Sequence, residues 1–284
     1  MEKVAIAGVG LIGASFGLAL RKAGFGGEII GVSSEAAIAA GLKRGAISSA
    51  ASLEKATQTA DLIYLAQPVD RILETIPKLA PWLRPGALVT DAGSTKQAIV
   101  RCAEAHLPVG SFLGGHPIAG KEQRGPDAAD ADLFRHRLYV LMPAHDAIAN
   151  PQISKFRAIL ASMEARILEM PAEEHDRALA YTSHLPQILS TALAATLAQD
   201  GDPRLNQVFG NGLLDMTRLA LSSPELWNSI LHTNKNQVEQ AIDALVRVLL
   251  GLKACLGERE MANTFRHAAA FASTIRKLPS SKNR

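Results

Sequence analysis

A chain of 284 residues with 48% apolar side chains has material for one large domain or two ordinary ones around a packed core. Its net charge of +3 comes from scattered basic residues, which excludes the clustered stripe that nucleic-acid binding requires, and no apolar run reaches the roughly 18–20 residues of a membrane span. Cys102 and Cys255 stand far apart without metal-ligand spacing, so neither a disulfide framework nor a metal site is expected, and the compartment reads as a reducing cytoplasm.

Met1-Glu2-Lys3 runs straight into a strand-like stretch without a signal-peptide pattern, so an unprocessed soluble protein is the expectation. The first strand, 4–7, leads into Gly8-Val9-Gly10-Leu11-Ile12-Gly13 and then into a helical run over 14–23. This is GxGxxG in its strand-turn-helix setting. Gly8 permits the tight turn, Gly10 removes a side chain where a pyrophosphate must approach, and Gly13 lets helix and strand pack closely. The competing reading is an ordinary glycine-rich turn, but its place at the head of a βαβ chain favours a dinucleotide site formed by Gly8, Gly10, Leu11, Ile12 and Gly13.

The second strand, 28–32, ends at Ser33-Ser34, where an NAD site normally places an acidic residue about 20 residues past the loop. Two hydroxyls in place of a carboxylate remove repulsion against a 2′-phosphate, so Ser33 and Ser34 favour NADP. NAD stays open, because Glu35 stands one place late and no arginine is adjacent, although Lys43 and Arg44 are close enough in sequence to fold back toward a phosphate.

Further strands are expected at 62–66, 88–91, 112–114, 138–142 and 167–170, alternating with alanine-rich helical stretches. The pattern predicts an α/β Rossmann-type domain with a mainly parallel sheet over 1–170. Two segments fall at the carboxyl ends of strands, where such sheets place ligands: Asp91-Ala92-Gly93-Ser94-Thr95-Lys96 and Gly114-Gly115-His116-Pro117-Ile118-Ala119-Gly120. Ser94 and His116 are their proton-handling groups. A lone histidine is more often structural, but His116 follows a strand among glycines that offer little core.

From 171 to 284 the character changes to an all-α domain, with helices expected over 172–199, 205–221, 224–232, 237–256 and 258–277 and a frayed tail over 279–284. In the fourth of these, Val238, Ile242, Leu245, Val246, Val248, Leu249, Leu250 and Leu252 cover far more than one stripe. Burial against a second subunit in a two-fold homodimer is expected, with burial inside one subunit as the alternative.

These segments, together with Ser183-His184-Leu185-Pro186, Asp215-Met216-Thr217-Arg218 and Pro224-Glu225-Leu226-Trp227, resemble the prephenate/arogenate dehydrogenase family, in order and over the chain to about Asn234. The resemblance implies a dinucleotide-binding domain followed by a helical dimerisation domain, an architecture like that of 6-phosphogluconate dehydrogenase. It implies oxidative decarboxylation of prephenate or arogenate on the route to tyrosine. His116 would take the proton of the ring 4-hydroxyl, Ser94 would hydrogen-bond that hydroxyl, and Arg218 would pair with the ring carboxylate. His184 would line the pocket. Lys121 and Glu122 would meet the substrate side chain, unless they belong to a solvated loop.

Local chemistry offers plainer readings of the helical-half residues: His184 as filler of a helix bend before Leu-Pro, and Arg218 as a surface ion pair. Gln187 departs from a second histidine that family members often carry there. The chain ends soon after its last helix, so tyrosine control through a separate regulatory domain is not expected. Two rivals remain: another enzyme of the same architecture, either an imine reductase or a β-hydroxyacid dehydrogenase, the latter typically relying on a helical-domain lysine, and a non-catalytic NADP-binding protein.

Overall fold

Residues 1–121, 123–142 and 150–277 are described in this computed structural model; Glu122 and the tail 279–284 lie outside the described residues. Eight strands form one sheet: β1 (Lys3–Ala7), β2 (Glu28–Val32), β3 (Ser49–Ala50), β4 (Leu62–Leu65), β5 (Leu88–Asp91), β6 (Phe112–Pro117), β7 (Leu138–Met142) and β8 (Arg166–Glu169). Successive residues of a strand face opposite ways, and in β1 and β4 both ways lead into apolar packing. Val4, Ile6, Leu62 and Tyr64 enter one core, while Ala5, Ala7, Ile63 and Leu65 enter the other. This double burial explains why these strands read as continuous apolar runs.

Helices cover the two faces. α1 (Leu11–Lys22) and α2 (Glu35–Lys43) lie early in the chain, followed by α3 (Leu53–Thr59), α4 (Val69–Leu79), α5 (Gln97–His106) and α6 (Pro151–Ser162). Phe16 and Leu20 of α1 and Phe156 of α6 fill the first core, where Phe16 stacks on Tyr64 at 3.9 Å between ring centroids. Ala56 of α3, Ile72 and Ile76 of α4, and Ile99 of α5 fill the second.

The strand order is β3-β2-β1-β4-β5-β6-β7-β8, and every pairing is parallel except β6 with β7. The order reverses between β1 and β4, so the glycine loop after β1 opens at the switch point, where sheets of this class bind their ligands. Two differences from the sequence reading stand out. β3 is a two-residue edge pairing, too short to carry a periodic signal. β6 extends beyond Gly114 to Pro117, because the antiparallel ladder pairs Gly115 with Leu141 and His116 with Val140. His116 therefore belongs to the strand rather than to the loop after it.

The chain divides into two compact units, Met1–Asp176 with Ser223–Asn234, and Arg177–Ser222 with Lys235–Arg284. The first unit thus takes in residues beyond 170, including α10 (Pro224–Thr233), which packs on α4. The expected helix over 172–199 is α7 (Ala172–Leu179), a π turn at Ala180–His184 and α8 (Leu185–Asp200). Pro186 accounts for the break: it has no N–H to donate and its ring crowds the preceding turn, which the wider π turn relieves. The expected helix over 205–221 is likewise a 3-10 turn at Pro203–Asn206, α9 (Asn211–Thr217) and a second 3-10 turn at Arg218–Leu221, with Gly210 as the cap of α9.

In the second unit α11 (Lys235–Ala254) packs on α8 and the π turn, burying Val238 and Ala241. Val246, Val248, Leu249 and Leu250 remain 44–60% exposed, and α12 (Arg259–Lys277) exposes Phe265 and Phe271. Among the described residues the apolar helix is therefore not wrapped within its own chain. No helix among the described residues is long and apolar enough to cross a membrane.

Gly17, inside α1, sets the tightest approach of helix to chain: a Cβ there would lie 1.9 Å from the carbonyl oxygen of Ala46. Helix propensity alone favours alanine by about 1 kcal/mol, whereas forcing a methyl into packed backbone costs about 1–3 kcal/mol. Gly17→Ala is expected to lower the urea midpoint, and a raised midpoint would show that the backbone yields at no cost.

Candidate active site

The three motif glycines do different work. Gly8 has φ +97° and a Cβ there would lie 2.4 Å from the Ala66 carbonyl oxygen, while one on Gly13 would lie 2.0 Å from the carbonyl oxygen of Gly8. Both are demanded by the fold itself. Around Gly10 a Cβ would meet nothing within 4 Å. Gly10 is also the N-cap of α1 and supplies no capping side chain, so the first-turn N–H groups of a twelve-residue helix are left for another acceptor. A pyrophosphate fits that open cradle in shape and charge. Leu11 and Ile12, in the first turn, pack half-buried against the core.

Ser33 and Ser34 are exposed at the end of β2. Ser34 caps α2, its Oγ accepting from the Ala37 N–H at 3.4 Å. Lys43 is exposed. Arg44 does not turn back toward the serines: its guanidinium donates to the carbonyls of Asp127 (2.9 Å) and Ala129 (2.7 Å).

Beyond the switch point a buried ion pair joins the next two strand ends. Lys96 and Asp91 are both fully buried, and the ammonium donates to the carboxylate and, at 2.7 Å, to the Gly115 carbonyl. The carboxylate also accepts from Gly93 N–H (2.8 Å) and Gly115 N–H (3.2 Å). Burial pushes the Lys96 ammonium pKa down, and the adjacent Asp91 opposes that shift. The loop between β5 and α5, which carries half-buried Ser94, is thereby fastened to the strand that carries His116.

His116 is itself buried, with Nδ1 2.8 Å from Nε2 of His175. His175 Nδ1 lies 2.8 Å from Asp176 Oδ1. The two Asp176 oxygens also accept the backbone N–H groups of Lys96 and Gln97, each at 2.8 Å, and so cap α5. Asn234 donates to the Asp176 carbonyl at 2.7 Å, and Thr95 and Thr233 share a hydroxyl hydrogen bond of 2.7 Å. Sequence reasoning missed His175 and Asp176. Their run Glu173-Glu174-His175-Asp176 reads as an acidic helix start, and nothing local says that Asp176 caps a different helix. Among the described residues no group of three or more His, Cys, Asp or Glu side chains is arranged to hold a metal ion.

Lys121 sits after β6 in a half-exposed ion pair with Asp130 at 2.9 Å. The remaining candidates belong to the second unit. His184 is buried at the end of the π turn. Arg218 opens the 3-10 turn at Arg218–Leu221, which Gln187 holds by donating to the Leu219 carbonyl (2.8 Å) and Ser190 by accepting from the Ala220 N–H (3.0 Å). Arg218 and Asp215 line a mostly apolar cavity of about 930 Å³ with Leu197, Leu205, Phe209 and Leu213. Gln187, the departure from the family pattern, is thus an anchor of the turn that carries Arg218.

Comparison with known proteins matches residues 16–169 to the family described as prephenate dehydrogenase, nucleotide-binding domain, and residues 171–270 to prephenate dehydrogenase, dimerization domain. A prephenate dehydrogenase of Lactococcus lactis is 37% identical over 244 residues, which are 82% of this chain and 65% of that protein. The chain therefore spans just under two thirds of that relative. The crystal structure of an Aquifex aeolicus prephenate dehydrogenase with hydroxyphenyl propionate and NAD+ superposes with a TM-score of 0.90 at 30% identity, covering 97% of this chain and 98% of that one. A Synechocystis arogenate dehydrogenase gives 0.83 at 30% identity, over 96% and 99%.

The open space around Gly10 separates folding from nucleotide binding. Gly10→Ala is expected to leave thermal stability unchanged and to weaken dinucleotide binding at least about tenfold, the equivalent of ~1.4 kcal/mol, in a fluorescence titration. Equal binding by variant and parent would mean that the cradle is not the phosphate site.

Proposed function

The chain belongs to the prephenate dehydrogenase family, and on that premise we propose that it oxidatively decarboxylates prephenate, with arogenate as the alternative substrate, using NADP in preference to NAD. The observation that carries the reading is the joined pair of strand ends, which presents Ser94 and His116 from elements tied together by the Asp91–Lys96 pair.

In this reading the glycine loop and the α1 N-terminus would hold the pyrophosphate of the dinucleotide, and Ser33 and Ser34 would receive the adenosine ribose. When bound, the nicotinamide supplies the acceptor for a hydride from the ring carbon that bears the hydroxyl. His116 accepts the proton of that 4-hydroxyl, and Ser94 hydrogen-bonds the same oxygen and orients it. The carbonyl that forms makes the bond to the ring carboxylate the one placed to break. Carbon dioxide leaves, the released electron pair makes the ring aromatic, and the phenolate oxygen takes the proton back from His116. Arg218 is the proposed partner of the ring carboxylate, by its planar fork of donors, and His184 a second substrate contact. The exposed Lys121–Asp130 pair is worth only about 0–1 kcal/mol, so Lys121 is able to exchange Asp130 for a substrate side-chain carboxylate.

The exposed apolar faces of α11 and of α12 as far as residue 270, within the stretch that matches a dimerization domain, support a homodimer through the helical unit. Light scattering should give twice the chain mass for the parent and the single-chain mass for Leu250→Arg; a monomeric parent would remove the dimer.

Nucleotide reduction followed at 340 nm, with prephenate and arogenate each paired with NADP and NAD, tests the reaction. One pair should turn over, and His116→Asn should lower kcat by at least about 100-fold, the scale of general-base catalysis. No turnover with any pair would leave only a dinucleotide-binding fold.

A further inference from the structure

The hydrogen-bonded line His116–His175–Asp176 has a direction. Each oxygen of Asp176 already accepts a backbone N–H, Lys96 N–H on Oδ1 and Gln97 N–H on Oδ2, so the carboxylate faces its neighbours as an acceptor. The proton in the 2.8 Å contact between Asp176 Oδ1 and His175 Nδ1 therefore belongs to the histidine. A neutral imidazole carries one N–H, so His175 presents a lone pair at Nε2. The only group that can complete its 2.8 Å contact with His116 is an N–H on His116 Nδ1. From this we infer that His175 and Asp176 are positioning residues that hold the proton of His116 on Nδ1, leaving the lone pair on Nε2 as the base that receives the substrate's proton.

The surroundings make the arrangement rigid. His175 and Asp176 are essentially without solvent exposure, so water does not compete for their contacts. The His175 and His116 rings cross at 72°, and Asn234 pins the backbone of Asp176 at its carbonyl. When the base takes up a proton, the positive charge is shared along the line toward a carboxylate that sits at the N-terminus of α5. The inference concerns the same site as the proposed reaction and rests on it for the meaning of the base, but the position of the proton is decided without turnover.

The first measurement is long-range 1H–15N correlation of the full-length protein labelled at histidine nitrogens, at pH 8, with His116→Asn and His175→Gln used for assignment. The expected pattern is N–H at Nδ1 and an unprotonated Nε2 for His116, and the same for His175. His116 with its proton on Nε2, or His175 protonated on both nitrogens, overturns the inference. The second is a pair of variants. His175→Gln keeps an acceptor for His116 and a donor for Asp176, whereas His175→Phe keeps the ring volume and offers neither. Positioning predicts kcat within about tenfold of the parent for His175→Gln and at least about 100-fold lower for His175→Phe, with nucleotide affinity unchanged in both. It also moves the acidic limb of the Phe variant's kcat/KM profile. A purely packing role predicts the opposite order, and that order would sink the relay. Absence of turnover with every substrate and cofactor pair removes the proposed reaction while the spectrum still decides the relay.

Discussion

The fully buried pair of Asp91 and Lys96 is the constraint on which the site depends. Two charges taken out of water repay that cost only with further hydrogen bonds to each, and here the site itself supplies them, from Gly93 and Gly115. The ammonium and the carboxylate reach both backbone groups of Gly115, one residue before His116. A Cβ on Gly115 would lie 2.7 Å from the Asp91 carbonyl oxygen, so the small residue is part of the same fastening. Losing one partner strands a charge in the interior at about 3–5 kcal/mol, a large share of the stability of an ordinary domain. Chemistry and folding are thus secured by the same contact.

Much of the first unit was legible because its signals are local. β1 and the glycine loop carry their evidence within a dozen residues, and β4 and β5 are apolar runs whose burial on both faces matches their composition. The mainly parallel sheet follows from strands that alternate with helices. Where the reading stopped short, the deciding partner lay elsewhere in the chain. The sequence pattern puts His116 after β6 because glycine and proline depress strand propensity, yet β7 pairs with them and carries the strand on. Leu185-Pro186 points to a bend within the helical stretch 172–199, but the form of that bend, a π turn that separates two helices, is seen only in the structure.

The site divides the same way. Ser94 and His116 are visible as reactive residue types at strand ends. His175 and Asp176 are not, since the His116 contact spans 59 positions and the helix-capping contact 80, and no periodicity encodes either. Gln187 stands in the sequence only as a departure from a histidine that family members often carry; in the structure it is a buried tether for the turn that begins with Arg218. A departure from a family pattern is informative only when the position's neighbours are known.

The first unit is not a continuous piece of chain, for Ser223–Asn234 returns to it after an excursion of 46 residues through the second unit, Arg177–Ser222. The Thr95–Thr233 contact closes a separation of 138 positions. During synthesis the sheet can assemble early, but the clamp of Asn234 on Asp176 must wait for residues made several seconds later, at about 5–20 residues per second. A nascent chain therefore holds its nucleotide loop well before it holds the finished relay, and the order of translation separates the moment of cofactor capture from the moment of competence.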